Sequence, residues 1–385
     1  MRTIFRPFRD VVQARFISRP NRFLVECELD GGLSVNAFLP NPGRLQELLL
    51  PGAVIHLVRD EQQAGRKTVY TAVGVNRDEW PVMLHTHKTN VAARHLLENR
   101  LIPGLEDATV LRQEVPAGHS RFDFLLRDRE GEMLLEVKSC TLFGNTVAMF
   151  PDAVTARGAR HLRDLAEHSG NGMRSAVLFM VHWPFAQTFM PDYHTDLSFA
   201  RTLLAVRKSV RIIPVAVQWQ QGLALGDKVS ILDIPWAYIE QEAQDRGSYL
   251  LILKLKEDSS IPVGTGRFHS FRKGFYLYVG SAMANLTARI ERHCRSRKRY
   301  HWHIDWLRSV ADVHAVLPVR SSTRLECSLA EALSGVAEWF VPGFGCSDCS
   351  CDTHLFGMTG DPLNSREFHR VLQHFRMDRY SVGKI

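Results

Sequence analysis

The chain has 385 residues, of which 45% are apolar, and this length accommodates two or three domains that each bury a core of their own. Its 48 lysine and arginine residues exceed its 41 aspartate and glutamate residues, and the formal charge of +7 suits a polyanionic partner, although such a charge is also ordinary in cytoplasmic proteins. No apolar run reaches membrane-spanning length and the first residues do not resemble a signal peptide, so the sequence argues against a helical membrane protein. The seven cysteines are an odd number, which favours reduced thiols and a cytoplasmic location over a disulfide framework.

Residues 1–82 contain short runs of β-forming residues that are separated by turns. The runs cover residues 23–29, 33–39, 54–58 and 69–73. Several short strands of this kind favour a small β-barrel of the OB type, whose open face often binds single-stranded nucleic acid.

Basic side chains of this barrel are candidates for a nucleic-acid-binding surface that follows the phosphate backbone. They are Arg15, Arg19, Arg22 and Arg44, with Phe16 and Phe23 interleaved as stacking residues. The alternative for each is that the phenylalanine lies in the core and the arginine is solvated. Arg44 follows a rigid Pro-Asn-Pro-Gly loop and is the strongest candidate of the four.

Residues 86–101 have the apolar period of a helix, with Asn90 as its predicted cap. The next stretch, residues 120–138, predicts a β-hairpin with a polar turn at 128–131. A turn centred between Arg129 and Glu130 sets Asp123 opposite Glu136.

The charged residues of this hairpin suggest a metal site. Strand alternation puts Lys138 on the same face as Glu136, so two carboxylates and an ammonium group converge. Converging carboxylates repel each other unless a cation lies between them, and hard divalent ions take oxygen ligands of this kind. The alternative is a solvated strand face, although this Glu-x-Lys is the only one in the chain and its carboxylate stands within an apolar run.

Asp123, Glu136 and Lys138 resemble the Asp…Glu-x-Lys core of the PD-(D/E)XK nuclease superfamily. The likeness narrows to the sugar fermentation stimulation proteins, SfsA, through further motifs at 19–25 and 40–45 and after Phe150, and it extends to about residue 235. The resemblance implies that Asp123 and Glu136 hold Mg2+ or Mn2+ and that Lys138 positions the nucleophile. It also implies an OB-like domain ahead of the nuclease-like domain.

In such enzymes a glutamate from the preceding helix often joins the metal site, and Glu98 and Glu114 are candidates for that role. After the hairpin, the sequence predicts a third strand at 146–150 and a helix that begins at Pro151. Arg157 and His161 are four residues apart and share a face of this helix. If that face points to the metal site, the two residues contact the scissile phosphate, and otherwise they are surface residues.

A strand at 175–181, a helix at 196–206 and a strand at 211–217 complete this region. Helix, three strands, helix, strand, helix and strand is the order of the superfamily's mixed α/β core, so topology supports the metal site as well. Residues 239–247 are polar and helix-prone and are predicted to be a linker.

Beyond the linker, the tripeptides Gly247-Ser-Tyr249 and Tyr278-Val-Gly280 resemble the two motifs of GIY-YIG nuclease domains. The resemblance implies that Tyr249 or Tyr278 lies near the attacking water, that Arg289 stabilises the phosphate and that Glu326 holds a divalent metal. His293 follows Arg289 by one helical turn. The match departs from the family in a longer loop between the motifs and in the lack of a clear late asparagine.

Two further clusters stand in this tail. Arg297, Lys298 and Arg299 are predicted to bind nucleic acid, with a solvated charged face as the alternative. Zinc is predicted at four residues, Cys346, Cys349, Cys351 and His354, with a loop of reduced thiols as the alternative because Cys349 and Cys351 are close together.

The sequence thus predicts three domains: an OB-like nucleic-acid-binding barrel at 1–82, a PD-(D/E)XK nuclease-like α/β domain at 83–240 and a GIY-YIG-like α/β domain at 247–385. The expected partner is DNA, and the expected activity is metal-dependent hydrolysis of a phosphodiester. The alternative is a DNA-binding regulator of sugar-utilisation genes of the maltose type that does not cleave, as the name of the resembled family suggests. A complete Asp, Glu and Lys set favours chemistry, because a pure binder gains nothing from acidic groups that face a phosphate.

Overall fold

The computed structural model describes residues 5–59, 68–264 and 267–382. The chain forms two compact units. The first unit extends to residue 192 and resumes at 198–236, whereas the second takes 193–197 and the chain from 237 onward. Within the described ranges, no helix is both long enough and apolar enough to cross a membrane.

The first unit begins with a six-stranded sheet. Its strands are β1 (Val11–Asn21), β2 (Leu24–Leu29), β3 (Ser34–Phe38), β4 (Val54–Arg59), β5 (Tyr70–Arg77) and β6 (Trp80–Met83). They lie in the order β3-β2-β1-β4-β5-β6, and β3 also pairs in parallel with β5, through Ala37 with Tyr70 and Phe38 with Thr71. This second pairing closes β1 to β5 into a barrel, as predicted.

Strand β1 was not predicted, although it lies at the centre of the barrel sheet and pairs with both β2 and β4. Its inward positions are Ala14 and Phe16, which are buried, whereas Ile17 is 41% exposed. Because this strand buries an alanine and exposes an isoleucine, its apolar and polar residues alternate only weakly. Its sequence therefore resembles an irregular segment.

The first unit continues with a mixed α/β region. Its elements are α1 (Thr86–Glu98), β7 (Thr109–Ala117), β8 (Ser120–Asp128), β9 (Gly131–Cys140), β10 (Leu142–Phe143), β11 (Val147–Phe150), α2 (Ala156–Gly170), β12 (Arg174–Val181), β13 (Thr188–Pro191), α3 (Leu197–Val206), β14 (Arg211–Gln220) and β15 (Ala224–Ile231). Six of the strands form a sheet in the order β15-β14-β12-β9-β8-β7, in which β9, β12 and β14 are parallel. The predicted α/β class is confirmed.

The membership of this sheet differs from the prediction, which included neither β7 nor β15 (Ala224–Ile231). The predicted third strand is β11, which belongs to a separate three-stranded sheet in the order β10-β11-β13. The third strand of the main sheet is β7, which lies at the edge and buries only Val115. An edge strand with one buried residue lacks the apolar pattern by which strands are recognised.

Helix α2 begins later than predicted. Thr155 is its N-cap, and the Thr155 hydroxyl accepts a hydrogen bond from the Gly158 N–H at 3.0 Å. Asp152, predicted to open the helix, instead accepts a hydrogen bond from the Leu45 N–H at 2.7 Å. The carboxylate therefore connects the barrel to the α/β region.

Phe5, which precedes the barrel, contacts two elements of the α/β region. Phe5 forms an antiparallel bridge with Leu225 of β15, whose N–H donates to the Phe5 carbonyl at 2.9 Å. The Phe5 ring also stacks on the ring of His95 in α1, with 4.4 Å between the ring centroids. The early chain and the last strand of the unit are therefore neighbours.

The second unit is built on an antiparallel sheet in the order β20-β16-β19-β22-β21. Its elements are α4 (Trp236–Glu242), β16 (Gly247–Leu255), β17 (Ser259–Val263), β18 (Arg267–Phe271), β19 (Gly274–Ala282), α5 (Leu286–Cys294), α6 (His303–Leu307), β20 (Asp312–Arg320), α7 (Glu326–Ser334), β21 (Trp339–Phe340), β22 (Leu355–Met358), α8 (Arg366–Gln373) and α9 (Arg379–Val382). The sheet is buried on both faces: along β16, Leu251 and Leu253 enter one core while Leu250 and Ile252 enter the other. Burial on both sides explains the continuous apolar run of this strand.

The predicted linker at 239–247 is integral to the second unit, which corrects the prediction. Glu242 is buried, and its carboxylate accepts hydrogen bonds from the N–H and the hydroxyl of Ser322. Arg379 lies 3.5 Å from the same carboxylate. A polar sequence was mistaken for a linker because its charge is paired inside the fold.

Arg77, at the end of β5, joins the barrel to the α/β region. Its guanidinium carbon lies 4.7 Å from the centroid of the Trp183 ring and 5.1 Å from that of Phe143. The same group donates hydrogen bonds to the carbonyls of Phe143 and Gly144 at 2.9 and 2.7 Å. Cation–π and hydrogen-bonding contacts of this kind stabilise most when they are shielded from water.

We expect Arg77→Met to lower the free energy of unfolding of the first unit by about 2 kcal/mol, because it removes the charge and the donors while keeping an aliphatic side chain. Urea denaturation followed by tryptophan fluorescence measures the loss. Arg59→Met is the matched control, since Arg59 is exposed at the end of β4. Equal stabilities of the two variants would show that Arg77 does not hold the two parts together.

Candidate functional site

The hairpin of β8 and β9 has the predicted register. Phe124 pairs with Leu135, and Asp128 pairs with Gly131 across the turn. Asp123 and Glu136 follow immediately beyond the Phe124–Leu135 pair, which brings the two carboxylates together. The turn is fixed locally, because the Glu130 N–H donates to the Asp128 carboxylate at 2.8 Å.

Asp123 is held by two donors. Its Oδ1 accepts a hydrogen bond from the Asn90 amide and its Oδ2 accepts one from the Val137 N–H, both at 2.6 Å. Burial, followed by the charge of Glu136, raises the pKa of Asp123 to about 6. This carboxyl group therefore titrates near neutrality.

Glu136 is 5% exposed, and its two oxygens differ. Oε1 accepts hydrogen bonds from Lys138 Nζ at 2.5 Å and from His161 Nδ1 at 2.7 Å. Burial raises the pKa of Glu136, but the hydrogen bond from His161 and the charge of Lys138 outweigh it and hold the pKa below its usual value. Glu136 is consequently a carboxylate at neutral pH.

The second oxygen of Glu136 fits a metal ligand. Oε2 is buried and receives no hydrogen bond from any residue that the structure describes. A buried carboxylate oxygen without a donor is costly unless a cation binds it. Asp123 and Glu136 together are thus suited to a hard divalent ion such as Mg2+, Mn2+ or Ca2+.

Helix α1 reaches the carboxylates through a residue whose role the sequence did not reveal. The helix begins at Thr86, so Asn90 lies in its second turn and is not the predicted cap. Glu98 is exposed and pairs with Arg94 at 2.6 Å, and Glu114 is exposed on β7. Asn90, rather than either glutamate, is the side chain that hydrogen-bonds to Asp123.

Helix α2 presents Arg157 and His161 to the hairpin. His161 is buried against Glu136, and its Nε2 accepts a hydrogen bond from Arg157 Nε at 3.3 Å. His161 thus links Arg157 to Glu136 through its two ring nitrogens. Arg157 is exposed and lies at the outer end of this chain of hydrogen bonds.

A cleft of about 340 Å3 adjoins these residues. Lys138 and Asn90 line one side of it, and Arg22 with the loop residues Asn41 and Gly43 of the barrel lines the other. The cleft therefore lies between the hairpin and the barrel loop.

The predicted basic surface of the barrel is smaller than expected. Arg19 donates hydrogen bonds to the backbone carbonyls of Arg22, Asn41, Gly43 and Arg44. Its guanidinium group therefore holds the loop in place. Arg15, Arg22 and Arg44 are exposed.

The two phenylalanines of this surface differ as well. Phe16 is buried in the core, which corrects its prediction as a stacking residue. Phe23 is 47% exposed and lies 6.4 Å from the exposed ring of Phe38. The surface thus offers three arginines and one aromatic pair.

The second unit brings its predicted tyrosines together with a histidine. The Tyr249 hydroxyl donates to His293 Nε2 at 2.8 Å, and His293 Nδ1 lies 3.6 Å from Asp305 Oδ1. Burial raises the pKa of Tyr249 well above its usual value and lowers the pKa of His293, so both groups are neutral. Asp305, His293 and Tyr249 thus form a relay, of which Asp305 was not predicted.

Two glycines make room for this arrangement. A Cβ at Gly280 would collide with the phenol ring of Tyr249. Gly247 has φ +133 and would place a Cβ against the Val319 carbonyl. The motifs at 247–249 and 278–280 therefore need glycine for packing and for backbone conformation.

Tyr278, Arg289 and Glu326 surround the relay. The Tyr278 ring lies 6.4 Å from that of Tyr249, and burial, followed by the charge of Glu326, raises the pKa of Tyr278. Arg289 stacks its guanidinium over the Trp302 ring at 4.2 Å. The Glu326 carboxylate accepts a hydrogen bond from the Ser281 hydroxyl.

The residues of the predicted basic run differ in exposure and in their partners. Lys298 is 5% exposed and lies 2.9 Å from the buried carboxylate of Asp305, which Arg292 also contacts at 3.1 Å. Burial raises the pKa of Asp305, but its interactions with the nearby His293, Lys298 and Arg292 bring it far below its usual value. Lys298 is thus occupied inside the fold, which corrects its prediction as a nucleic-acid contact, whereas Arg297 and Arg299 are exposed.

The predicted cysteine cluster has a different membership. Four side chains have ligand atoms that all lie within 4.8 Å of one another, namely Cys327, Cys349, Cys351 and His354. Cys346 is outside this group, and Cys327, from the first turn of α7, takes its place. No motif indicated that Cys327 belongs to this group, because it precedes the others by more than twenty residues.

Comparisons with known proteins match three regions. Residues 17–84 match the SfsA N-terminal OB domain, and residues 87–222 match the sugar fermentation stimulation protein RE domain. Residues 248–377 match a domain of unknown function, DUF123. The predicted OB-like barrel is thereby confirmed, and the GIY-YIG likeness of the tail stays a prediction.

Two relatives are each called sugar fermentation stimulation protein homolog. The protein from Methanosphaera stadtmanae is 36% identical over 208 residues, which is 53% of this chain and 86% of the relative. The protein from Chloroflexus aurantiacus is 38% identical over 224 residues, which is 57% of this chain and 85% of the relative.

A solved structure shares the fold as well. The structure of Pyrococcus furiosus SfsA in complex with Ca2+ is 25% identical, has a TM-score of 0.54, and covers 60% of this chain and 98% of its own. Because the matches span the barrel and the α/β region and nearly the whole of each relative, the chain belongs to the sugar fermentation stimulation protein family.

Proposed function

We propose that the protein binds DNA and hydrolyses a phosphodiester bond at the hairpin, with Mg2+ or Mn2+ held by Asp123 and Glu136. The observation that carries the proposal is the buried Oε2 of Glu136, to which no described residue donates a hydrogen bond, beside the half-buried carboxyl group of Asp123. A structural role alone would leave this buried oxygen without a partner. The related Pyrococcus furiosus structure, solved in complex with Ca2+, supports an ion with the same oxygen-ligand chemistry.

The residues around the carboxylates have separate roles in this proposal. A bound divalent ion would polarise the phosphate and lower the pKa of a water molecule. Lys138 lies in the cleft, where its ammonium group orients the attacking water and offsets the charge of the phosphate. Asn90 and the Val137 N–H hold Asp123 in place, and His161 holds Glu136.

The nucleic acid is held by charge outside the hairpin. Arg22 lines the cleft next to Lys138, and Arg15 and Arg44 extend the exposed basic surface of the barrel. The pair of exposed rings at Phe23 and Phe38 provides a surface on which a base can stack. Arg157, at the outer end of the hydrogen bonds that lead to Glu136, contacts the scissile phosphate.

The relay in the second unit is a second candidate site for the same chemistry. The Tyr249 hydroxyl donates a hydrogen bond to the neutral His293, which has Asp305 near its other nitrogen, so the phenol is held in an orientation in which its oxygen can accept a hydrogen bond from an attacking water. Arg289 and Tyr278 line the same region, and Glu326 is the carboxylate that would hold a metal there. Arg297 and Arg299 are exposed nearby in sequence and would contact the phosphate backbone.

We expect Glu136→Gln to reduce cleavage of labelled DNA in Mg2+ or Mn2+ by about 100- to 1,000-fold, because the metal loses a charged ligand. Glu132→Gln is the matched control, since Glu132 is on the same strand but exposed and paired with Arg127. Single-stranded DNA, duplex DNA and RNA are compared in parallel with the unmodified chain. Equal cleavage by Glu136→Gln and the unmodified chain would exclude the hairpin as the site of hydrolysis.

The same assay separates the two candidate sites through Glu326→Gln. We expect this variant to keep the cleavage that depends on Glu136, because the two carboxylates belong to different compact units. Loss of cleavage in Glu326→Gln alone would move the chemistry to the second unit. A chain that binds DNA but never cuts it with either metal would support the alternative, a regulator of sugar-utilisation genes that does not cleave.

Cleavage should also depend on pH through Asp123. Because its pKa is about 6 before a metal binds, protonation competes with metal binding at lower pH, so at subsaturating metal we expect cleavage to fall about tenfold per pH unit below pH 6 and to level off above it. Asn90→Ala removes a hydrogen bond that favours the charged form, which raises the pKa and moves this acid limb to higher pH. The control is Asn99→Ala, at the end of the same helix. An unchanged profile in Asn90→Ala would show that Asp123 does not control the acid limb.

A further inference from the structure

A cluster of soft ligands lies in the second unit, apart from the hairpin. Cys327 comes from the first turn of α7, and Cys349, Cys351 and His354 come from the segment between β21 and β22. Each residue offers one ligand atom, and the four atoms lie within 4.8 Å of one another. Three thiols and one imidazole are a common ligand set of structural zinc sites.

The spacing of the ligand atoms agrees with a tetrahedral ion. Cys349 Sγ lies 3.5 Å from His354 Nε2. In a tetrahedral site with Zn–S distances of about 2.3 Å and Zn–N distances of about 2.0–2.1 Å, the sulfur and the nitrogen are about 3.5 Å apart. The pair is therefore already at the separation that the metal requires.

The other side of the His354 ring is also arranged as in zinc sites. His354 is 1% exposed, and its Nδ1 lies 3.4 Å from Glu326 Oε1. A carboxylate behind the second ring nitrogen fixes the tautomer in which Nε2 is free to bind a metal. Glu326 therefore acts on the cluster through His354.

The backbone of the segment is folded independently of the cysteines. The Gly343 N–H donates to the Asp352 carbonyl and the His354 N–H donates to the Phe344 carbonyl, both at 2.8 Å. The Thr353 hydroxyl donates to the Val341 carbonyl at 2.6 Å. These bonds bring Cys349 and Cys351 back toward α7, so that the ligands converge before any ion binds.

We propose that Cys327, Cys349, Cys351 and His354 bind one Zn2+ ion, which joins the 341–354 segment to the start of α7. Each of the three thiols loses its proton to solvent as its sulfur binds, and the imidazole binds as a neutral ligand. Thiolates favour zinc over Mg2+ or Ca2+, and three thiolates this close together would repel one another without a cation. The inference does not depend on hydrolysis at the hairpin.

The test measures the zinc content of the purified full-length chain by plasma mass spectrometry, after gel filtration in a reducing buffer. The expected result is one zinc per chain in the unmodified protein and near zero in Cys327→Ser. Cys346→Ser is the matched control, because Cys346 is in the same segment but outside the cluster, and it should retain one zinc. Zinc that is lost in Cys346→Ser and retained in Cys327→Ser would overturn the assignment.

A measurement on the unmodified chain covers the case in which Cys327→Ser fails to fold. Removal of zinc by a strong chelator should raise the number of thiols that react with a disulfide reagent by three, and added Co2+ should give the visible bands of a tetrahedral thiolate site. No zinc after reconstitution would refute the proposal. A disulfide between two of these cysteines that persists in the reducing buffer would refute it as well.

Discussion

The first unit is organised around the repulsion between two neighbouring carboxyl groups, of which Glu136 is buried and Asp123 is half-buried. The hairpin register that makes β8 and β9 a stable pair also forces Asp123 against Glu136, and burial raises the pKa of Asp123 in consequence. The surrounding residues compensate only in part, because Lys138 and His161 both bind Oε1 of Glu136 and leave Oε2 without a donor from the described residues. The fold therefore keeps two repelling carboxyl groups and one oxygen without a donor, a cost in stability of the kind that functional sites often carry.

Neighbouring elements place this charge pair next to the cleft that is lined by Lys138 and the barrel loop. Asp152 accepts a hydrogen bond from the Leu45 N–H, and Arg19 donates hydrogen bonds to backbone carbonyls of the barrel loop. These bonds fix the loop next to the cleft. Arg77 adds a second connection between barrel and α/β region through Trp183. The barrel is thus more than a separate binding module, since its loop completes the cleft in which Lys138 lies.

Local rules in the sequence predicted the parts of the structure that depend on neighbours along the chain. The register of the hairpin follows from its turn, and β16 follows from a run that is apolar on both faces. The failures involve partners distant in sequence. Asn90 was assigned to a cap because its bond to Asp123 spans 33 residues, and Lys298 was assigned to phosphate because Asp305 gave no pattern. Cys346 was included instead of Cys327 because it lies in the same short segment as the other three ligands.

The bridge between Phe5 and Leu225 has a consequence for the order in which the first unit forms. Local hairpins such as β8–β9 close over a few residues, whereas this contact closes a loop of more than two hundred residues. During synthesis from the N-terminus, the segment around Phe5 leaves the ribosome long before the strand that covers it. The unit therefore completes its fold late, and its first residues spend that interval without their native partner.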